Sequence, residues 1–154
     1  MDQQDEIAVV ERRLREGGHR WTQQRRRIAE VVFATHEHFN AEELLALCRK
    51  VDRRVSRATV YRMIAAMEAV GVVEGLDTGD GSRRFEHVLG HEHHDHMICR
   101  SCGRIVEFSD AKLERQKAEI AHRMGFTMLR HELKLVVECN DLACPGRAPV
   151  GKRR

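Results

Sequence analysis

The sequence predicts an α+β protein in which a helical half ending in a β-hairpin precedes a smaller α/β half. Three observations support this prediction. Four helical segments with capping signals fill the first half, two short β-type runs follow the fourth helix, and the second half combines strand-like alternation with clustered histidine and cysteine. The 154 residues are enough for two small domains. We expect these domains at residues 1–85 and 93–144, with a hinge at 86–92 and a disordered tail at 145–154.

The predicted helices begin at polar residues that can accept hydrogen bonds from a helix N-terminus. The first helix spans residues 2–16 and ends at a glycine pair. Thr22 can cap the second helix, and Asn40 opens a capping box before the third. Ser56 can cap the fourth helix, which ends at Gly71. The inner stripe of that helix is expected to contain Val60, Met63, Ile64, Met67 and Val70.

Two β-type runs after the fourth helix, residues 72–76 and 83–88, flank a segment rich in Gly, Asp and Ser that is typical of a turn. A hairpin that directly follows a helix-turn-helix predicts a winged helix-turn-helix domain. In the second half we expect, in order, a strand at 95–99, a strand at 104–108, a helix at 110–124 and a long strand at 126–139.

Composition narrows the class of protein and its compartment. No apolar run approaches the roughly 18 residues that span a bilayer, and the acidic start of the chain is unlike a signal peptide. We therefore expect a soluble, cytoplasmic protein without a membrane partner. In that reducing compartment, five cysteines and ten histidines indicate metal binding rather than disulfides.

The first half carries an excess of positive charge. Between Arg12 and Arg62 there are thirteen Lys or Arg residues and six Asp or Glu residues, whereas the whole chain has a net charge of only +3. A basic surface of this kind attracts a polyanion such as nucleic acid, although an ordinary solvated surface would have the same composition.

The fourth helix is the best candidate for reading DNA. Its inner stripe leaves a face with two arginines, a tyrosine and small residues, namely Arg57, Ala58, Tyr61, Arg62 and Ala65. Arg can bind guanine edges or phosphate, and Tyr can contact thymine methyls or phosphate, so this face suits a major groove. The arginines could be ordinary solvated residues, but the hairpin after the helix favours recognition. Arg20 and Arg25 are weaker candidates for contacts to the DNA backbone.

Two cysteine pairs predict a closed zinc site. Cys99 and Cys102 form a C-x2-C knuckle, and Cys139 and Cys144 form a looser C-x4-C pair. Four thiolates make a tetrahedral site with no position for water, so its zinc is structural. One C-x2-C motif alone could be a redox pair, but the second pair favours zinc. Cys48 has no partner in this pattern and is expected to be buried.

The segment His93-His94-Asp95-His96 is the most informative for metal binding. In a strand, His94 and His96 point to one side while His93 and Asp95 point to the other, so one strand serves two sites. Imidazole and carboxylate together suit Fe, Mn, Zn or Co more than copper. A histidine-rich surface loop is the alternative, which the adjacent cysteine knuckle disfavours.

The remaining ligands must come from other segments. His131 is expected on the inward face of the last strand, where an imidazole without a partner is costly. One set would therefore consist of His93, Asp95, Glu114 and His131. The other set would consist of His38, Glu86, His94 and His96. Because His38 belongs to the helical half, a metal at the second set would link the two domains, which suits a switch.

Two long motifs in these segments have a familiar pattern. They are Ala58-Thr59-Val60-Tyr61-Arg62 in the fourth helix and HHDHMICRSCGRIVEFSD over residues 93–110. Both resemble the ferric uptake regulator family, and the resemblance extends over nearly the whole chain. It implies a homodimer, or a tetramer, with N-terminal winged-helix domains and C-terminal α/β dimerisation domains. It also implies a transcriptional repressor, not an enzyme, that controls metal-uptake genes by binding an AT-rich palindromic operator in double-stranded DNA.

The resemblance also implies the cofactors and the residues that hold them. Structural Zn(II) would be bound by Cys99, Cys102, Cys139 and Cys144. Regulatory Fe(II), for which Mn(II) or Zn(II) could substitute, would be bound by His38, Glu86, His94 and His96, with Glu107 as a candidate fifth ligand. An additional metal would be bound by His93, Asp95, Glu114 and His131. DNA would be contacted by Arg20, Arg25, Arg57, Thr59, Tyr61 and Arg62.

One departure from the family pattern affects Glu86. Its spacing to His93 is one residue longer than in the commonest members, and His87 and His91 are nearby imidazoles that could replace a ligand. A paralogous sensor of zinc, manganese or peroxide remains an alternative, although peroxide sensors generally have Asp at the position of Glu86. A zinc metalloenzyme is a remote alternative, because the sequence has no nucleophile or pocket signature.

Overall fold

The structure is a computed structural model that describes residues 3–79, 81–140 and 144 of the chain. The chain divides into two compact units, Met1–Glu92 and His93–Arg154. Its helices and small sheets confirm the predicted α+β class. The tail at 145–154, for which disorder is predicted, lies outside the described residues.

The described part of the first unit has four helices followed by an antiparallel hairpin. Its elements are α1 (Gln3–Glu16), α2 (Gln23–Phe33), α3 (Ala41–Val51), α4 (Arg57–Ala69), β1 (Val73–Asp77) and β2 (Arg83–His87). Three helices followed by a hairpin are the arrangement of a winged helix-turn-helix, as the sequence predicts.

The caps of the first-unit helices are those that the sequence predicts. The Thr22 side chain accepts a hydrogen bond from the backbone N–H of Arg25 at 3.3 Å, and Ser56 caps α4 in the same way. Asn40 and Glu43 form the reciprocal bonds of a capping box at α3. After α4, Gly71 has a φ of 66°, in the left-handed region that glycine adopts at helix ends. The cap at Ser56 and the turn at Gly71 therefore define where α4 begins and ends.

The core of the first unit lies between the four helices and the hairpin. Its largest fully buried side chains include Leu14, Ile28, Phe39, Leu44, Met63 and Met67. The predicted inner stripe of α4 is confirmed, because Val60, Ile64 and the two methionines are buried and Val70 packs against the same core. The opposite face of α4 is left for solvent or a ligand.

The second unit is a mixed three-stranded sheet with one helix in its described residues. Its elements are β3 (Asp95–Cys99), β4 (Ile105–Phe108), α5 (Ala111–Arg123) and β5 (Lys134–Val137). The strand order is β4-β3-β5, with β4 antiparallel and β5 parallel to the central strand β3. Because β3 is central, His96, Met97 and Ile98 pair with residues of both neighbouring strands.

The long last strand predicted at 126–139 is wrong in its extent. Only Lys134–Val137 is strand, because β5 can form a ladder only along the five residues of β3. The backbone N–H of Phe126 bonds the carbonyl of Ala121 and so completes the end of α5 instead. His131 therefore lies in an irregular segment and not on a strand.

The first two residues of the hinge predicted at 86–92 are strand residues in the structure. Glu86 and His87 belong to β2, where they pair with Glu74 and Val73 of β1. Within the described residues, the irregular segment between β2 and β3 is 88–94. None of the described helices has the length and apolar content required to cross a membrane.

Candidate nucleic-acid interface and metal centres

The outward face of α4 carries the residues predicted to read DNA. Arg57, Tyr61 and Arg62 are exposed, and Thr59 is half-buried near the N-terminus of the helix. The Tyr61 ring is 49% exposed although it is a large aromatic side chain. An exposed aromatic residue between two arginines is suited to contact with base edges and phosphates.

A carboxylate of α3 holds two of these side chains in place. The Tyr61 hydroxyl donates to Glu42 at 3.0 Å, and the Arg57 guanidinium lies 2.7 Å from the other Glu42 oxygen. The hydrogen bonds from Arg57 and Tyr61 lower the pKa of Glu42 and raise the pKa of both partners. Glu42 therefore orients two of the side chains predicted to contact DNA, and it cancels part of their positive charge.

The two residues predicted to contact the DNA backbone, Arg20 and Arg25, differ in their surroundings. Arg25 is half-buried, and its guanidinium donates to the carbonyl oxygen of Arg20 at 2.8 Å. Arg25 thus stabilises the turn before α2, whereas the Arg20 side chain is exposed and better placed for a phosphate.

The four cysteines predicted to bind zinc lie together in the second unit. One Sγ from each of Cys99, Cys102, Cys139 and Cys144 lies within 4.8 Å of the others. The Sγ of Cys102 is 3.7 Å from that of Cys139, which matches the roughly 3.8 Å between thiolates that share a tetrahedral zinc. Cys99 ends β3 and Cys139 follows β5, so an ion at these residues would fasten the two parallel strands.

Two of the four thiols, those of Cys99 and Cys139, have pKa values shifted in opposite directions. The Cys139 thiol donates to Cys99 at 3.2 Å, which lowers the pKa of Cys99 to about 6 and raises the pKa of Cys139. A second thiolate so close to the first is costly without a cation. This donor set therefore fits a divalent ion that accepts soft ligands.

The predicted additional site is also assembled within the second unit. The Nε2 atoms of His93 and His131 are 2.8 Å apart, and both lie within 3.4 Å of Asp95 Oδ1. Glu114 Oε2 is 3.4 Å from His131 Nε2. Asp95 Oδ1 is buried and accepts no hydrogen bond from the described residues. A buried carboxylate oxygen aimed at two imidazoles fits a divalent cation with mixed oxygen and nitrogen ligands.

Lys117 lies inside this cluster, which sequence reasoning missed. Its ammonium is 2.6 Å from both Glu114 Oε1 and His131 Nε2, and 3.0 Å from Asp95 Oδ2. Burial opposes ionisation of Asp95, but the hydrogen bond and charge of Lys117 outweigh it and hold the pKa of Asp95 below its usual range. The i, i+3 spacing of Glu114 and Lys117 on α5 was the available signal.

The predicted regulatory residues form two groups, one in each unit. In the first unit, His38 Nε2 is 3.6 Å from Glu86 Oε1, because a β-bridge joins Phe39 to Phe85. In the second unit, the rings of His94 and His96 are 4.9 Å apart, and His94 lies 3.9 Å from Glu107. His96 is also directly opposite Glu107 in the β3–β4 ladder. Each group combines imidazole with carboxylate.

A third group in the first unit contains His36, His87 and His91. The ring centroids of His87 and His91 are 4.6 Å apart, and His36 lies 5.8 Å from His87. Burial and the two neighbouring imidazoles lower the pKa of His87 to about 4, so its ring is neutral at pH 7. The sequence suggested His87 and His91 as replacement ligands, but it did not indicate that His36 joins them.

Comparison with known proteins places this arrangement in one family. A model of the ferric uptake regulator family matches residues 16–136, which is well over half of the chain. The chain belongs to the ferric uptake regulator family. Members of this family are metal-responsive transcription regulators, which at the level of the family argues against the metalloenzyme alternative.

Individual relatives agree with this assignment. The chain is 35% identical over 130 residues to the ferric uptake regulation protein of Campylobacter jejuni, which covers 83% of this chain and 82% of the relative. The Helicobacter pylori ferric uptake regulator, whose structure reveals three functional metal binding sites, has a TM-score of 0.80 at 27% identity, covering 91% and 93% of the two chains. A zinc-bound manganese uptake regulator has a TM-score of 0.62 at 36% identity, covering 84% and 98%.

Proposed function

We propose that this Fur-family chain is a cytoplasmic, homodimeric repressor that Fe(II) activates to bind an AT-rich palindromic operator in double-stranded DNA and so control metal-uptake genes. The observation that supports it most is the pair of imidazole–carboxylate groups described above. The group in the first unit contains His38 and Glu86, and the group in the second unit contains His94, His96 and Glu107.

Neither group alone supplies the four or five protein ligands of the predicted regulatory set. The first offers one imidazole and one carboxylate, and the second offers two imidazoles and one carboxylate. We propose that one regulatory ion takes ligands from both groups. Such an ion would change DNA affinity because its bonds form only in the arrangement of the units that binds DNA.

The ligand types in this proposed set narrow the regulatory metal to a few divalent ions, Fe(II) among them. Imidazole and carboxylate without thiolate suit Fe(II), Mn(II) or Zn(II), and cellular availability then decides among them. The similarity to a manganese uptake regulator makes manganese sensing the second candidate. Structural Zn(II) at the four cysteines is the other proposed cofactor, since their sulfur atoms already have nearly tetrahedral spacing.

The dimer is supported by the apolar surface of the second unit. Several large apolar side chains there are exposed, among them Val106, Ile120, Met124, Phe126, Leu129, Leu135 and Val136. None of the described residues of α5 is buried. This number of exposed large apolar side chains on one small unit is typical of a protein that buries them against a partner, and a second copy is the partner that a palindromic operator requires.

The test is DNA binding by the full chain at buffered free metal concentrations. Selection from random duplexes should recover a palindrome, and fluorescence anisotropy on that duplex should show affinity rising with free Fe(II). Mn(II) should act at higher concentration than Fe(II). Binding that ignores every metal would contradict the proposal, and activation by Mn(II) or Zn(II) at concentrations where Fe(II) has no effect would replace iron by that metal.

A further inference from the structure

The group of His36, His87 and His91, which we call the three-histidine cluster, belongs to none of the sites proposed above. His36 lies in the loop between α2 and α3, His87 ends β2, and His91 lies in the segment that follows. Each residue offers one ring nitrogen, and these three nitrogens lie within 4.8 Å of one another. All three residues belong to the first unit, so the cluster needs no residue of the second unit.

His87 is the buried member of the cluster, whereas His36 and His91 are exposed. His87 is 4% exposed, and its ring packs 4.9 Å from that of Phe33. Neither ring nitrogen makes a well-formed hydrogen bond with the described residues, although the nearby backbone of Leu89 acts to raise the pKa of the ring. Burying an imidazole without a partner is unfavourable, and such a group in a native fold calls for an explanation such as a bound ion. An ion bound to one nitrogen of His87 would supply the missing interaction.

We propose that the three-histidine cluster binds a divalent cation of the Zn(II) class through three imidazole nitrogens, with water at the remaining position. Three neutral imidazoles without a carboxylate favour Zn(II), Ni(II) or Cu(II) over Mn(II) and Fe(II), which are lower in the order of affinity. The site therefore differs in metal preference from the proposed iron site, whose ligands include carboxylates.

The geometry requires only side-chain adjustment to accept such an ion. Nitrogens bound to one tetrahedral zinc at about 2.1 Å lie roughly 3.4 Å apart, which is closer than the present upper limit of 4.8 Å. His87 is fixed by its packing, but His36 and His91 are exposed and can rotate toward it. Rotation about their side-chain torsions can close the remaining gap without moving the core.

Binding here would act on the segment that leads out of the first unit. His91 lies in the irregular stretch after β2, while His36 follows α2 of the helix-turn-helix. An ion held by both would fix residues 88–91 against the body of the unit. The cluster would then give the regulator an input from a metal other than the one that activates it.

The test is the number of Zn(II) ions that the full chain binds, measured by competition with a chromophoric chelator. His36→Gln and His91→Gln change exposed residues, so both variants should fold, and each should bind one Zn(II) fewer than the wild type. His19→Gln is the matched control, because His19 is in the same unit but outside every cluster of the described residues. The control should bind as many ions as the wild type.

A second measurement tests directly whether Zn(II) binds to the ring of His87. On addition of Zn(II), a ring ¹⁵N resonance of His87 should shift in the wild type and in His19→Gln, but not in His36→Gln. Equal Zn(II) stoichiometry in all four proteins would overturn the proposal, as would a His87 resonance that does not respond to Zn(II). Loss of an ion from the His19→Gln control would also overturn it, because surface binding would then explain the result.

Discussion

At the scale of single residues, Lys117 lies among the ligands proposed for the additional metal site. Its ammonium contacts Asp95, Glu114 and His131, which are three of the four ligands proposed for the additional site. A divalent ion at that site must displace this ammonium. We therefore expect Lys117 to lower the affinity of the proposed site for metal and to stabilise the metal-free protein.

Lys117→Met should raise the affinity of the additional site for Mn(II) or Zn(II) by about tenfold or more, because the competing charge is removed. It should also lower the melting temperature of the metal-free protein, since the buried Asp95 carboxylate loses its cation. Calorimetric titration and thermal unfolding measure the two effects. Lys112→Met, on the exposed side of α5, is the control and should change neither. An unchanged affinity in Lys117→Met would show that the ammonium leaves the site at no cost.

Glu42 is a second residue, and a substitution can separate the effect of its charge on DNA binding from that of its hydrogen bond to Tyr61. A glutamine at this position can still accept the hydrogen bond from Tyr61, but it no longer neutralises Arg57. Glu42→Gln should therefore strengthen binding to nonspecific DNA and steepen the log–log dependence of affinity on salt by about 0.9. Anisotropy with an unrelated duplex at several salt concentrations measures this. Equal salt dependence in the two proteins would mean that Arg57 does not reach a phosphate.

At the scale of elements, the proposed function of α4 depends on the separation between its buried face and its exposed face. Its apolar side packs into the core of the first unit, and its outward side carries Tyr61 and Arg62. A substitution on the outward side should change DNA binding without changing the metal content or the dimer.

Tyr61→Ala should weaken operator binding with little effect on metal content or dimerisation. If Arg62 reads a base, Arg62→Ala should cost roughly 1–3 kcal/mol at one base pair, and if it binds phosphate the loss should be uniform over sequences. Affinities for a set of single-base operator variants distinguish the two. Arg115→Ala, on exposed α5, is the control for loss of charge. Operator affinity at the wild-type level in both alanine variants would remove α4 from the interface.

We expect the sheet of the second unit to depend on a metal ion at the four cysteines. Cys99→Ser should lose zinc and shift the protein toward monomer or aggregate, because structural zinc contributes on the order of 10 kcal/mol to folding. Metal analysis and sedimentation measure both outcomes. Cys48→Ala is the control, since Cys48 is buried in the first unit away from the other cysteines. A zinc-free Cys99→Ser protein with unchanged melting and sedimentation would exclude the structural role.

Elements with local signals were predictable from the sequence, and elements that depend on distant partners were not. The caps at Thr22, Asn40 and Ser56 involve neighbours within three residues, so their patterns are visible in the chain itself. The extent of β5 depends on the length of β3, which its own alternating residues do not encode. The position of His36 beside His87 depends on how the loop after α2 folds over the hairpin, and no spacing along the chain indicates it.

At the scale of the whole molecule, the proposed regulatory and additional sites should have different effects on DNA binding. The regulatory ligands come from both units, whereas His93, Asp95, Glu114 and His131 all belong to the second. Moving a population from about 1:99 to 99:1 requires roughly 5.5 kcal/mol of preference for one state. Only a site whose bonds depend on the arrangement of the units can supply that preference.

His94→Ala and His38→Ala should keep zinc and the dimer but lose metal-activated operator binding, although they lie in different units. Glu114→Ala should retain much of the activation, because its metal would mainly stiffen the second unit. Operator affinity measured against free Fe(II) or Mn(II) tests all three variants. Activation that is lost in Glu114→Ala and kept in His94→Ala would assign the switch to the opposite side of the histidine segment.

The apolar surface on the second unit has a consequence for gene dosage. If operators are occupied only by dimers, then occupancy at low abundance follows the square of the chain concentration. When the chain concentration is below the dimer dissociation constant, halving the number of chains would lower the dimer concentration by about fourfold, even at constant iron. Val136 and Leu129, which are 61% and 94% exposed, would thus make repression sensitive to how much of the regulator a cell synthesises.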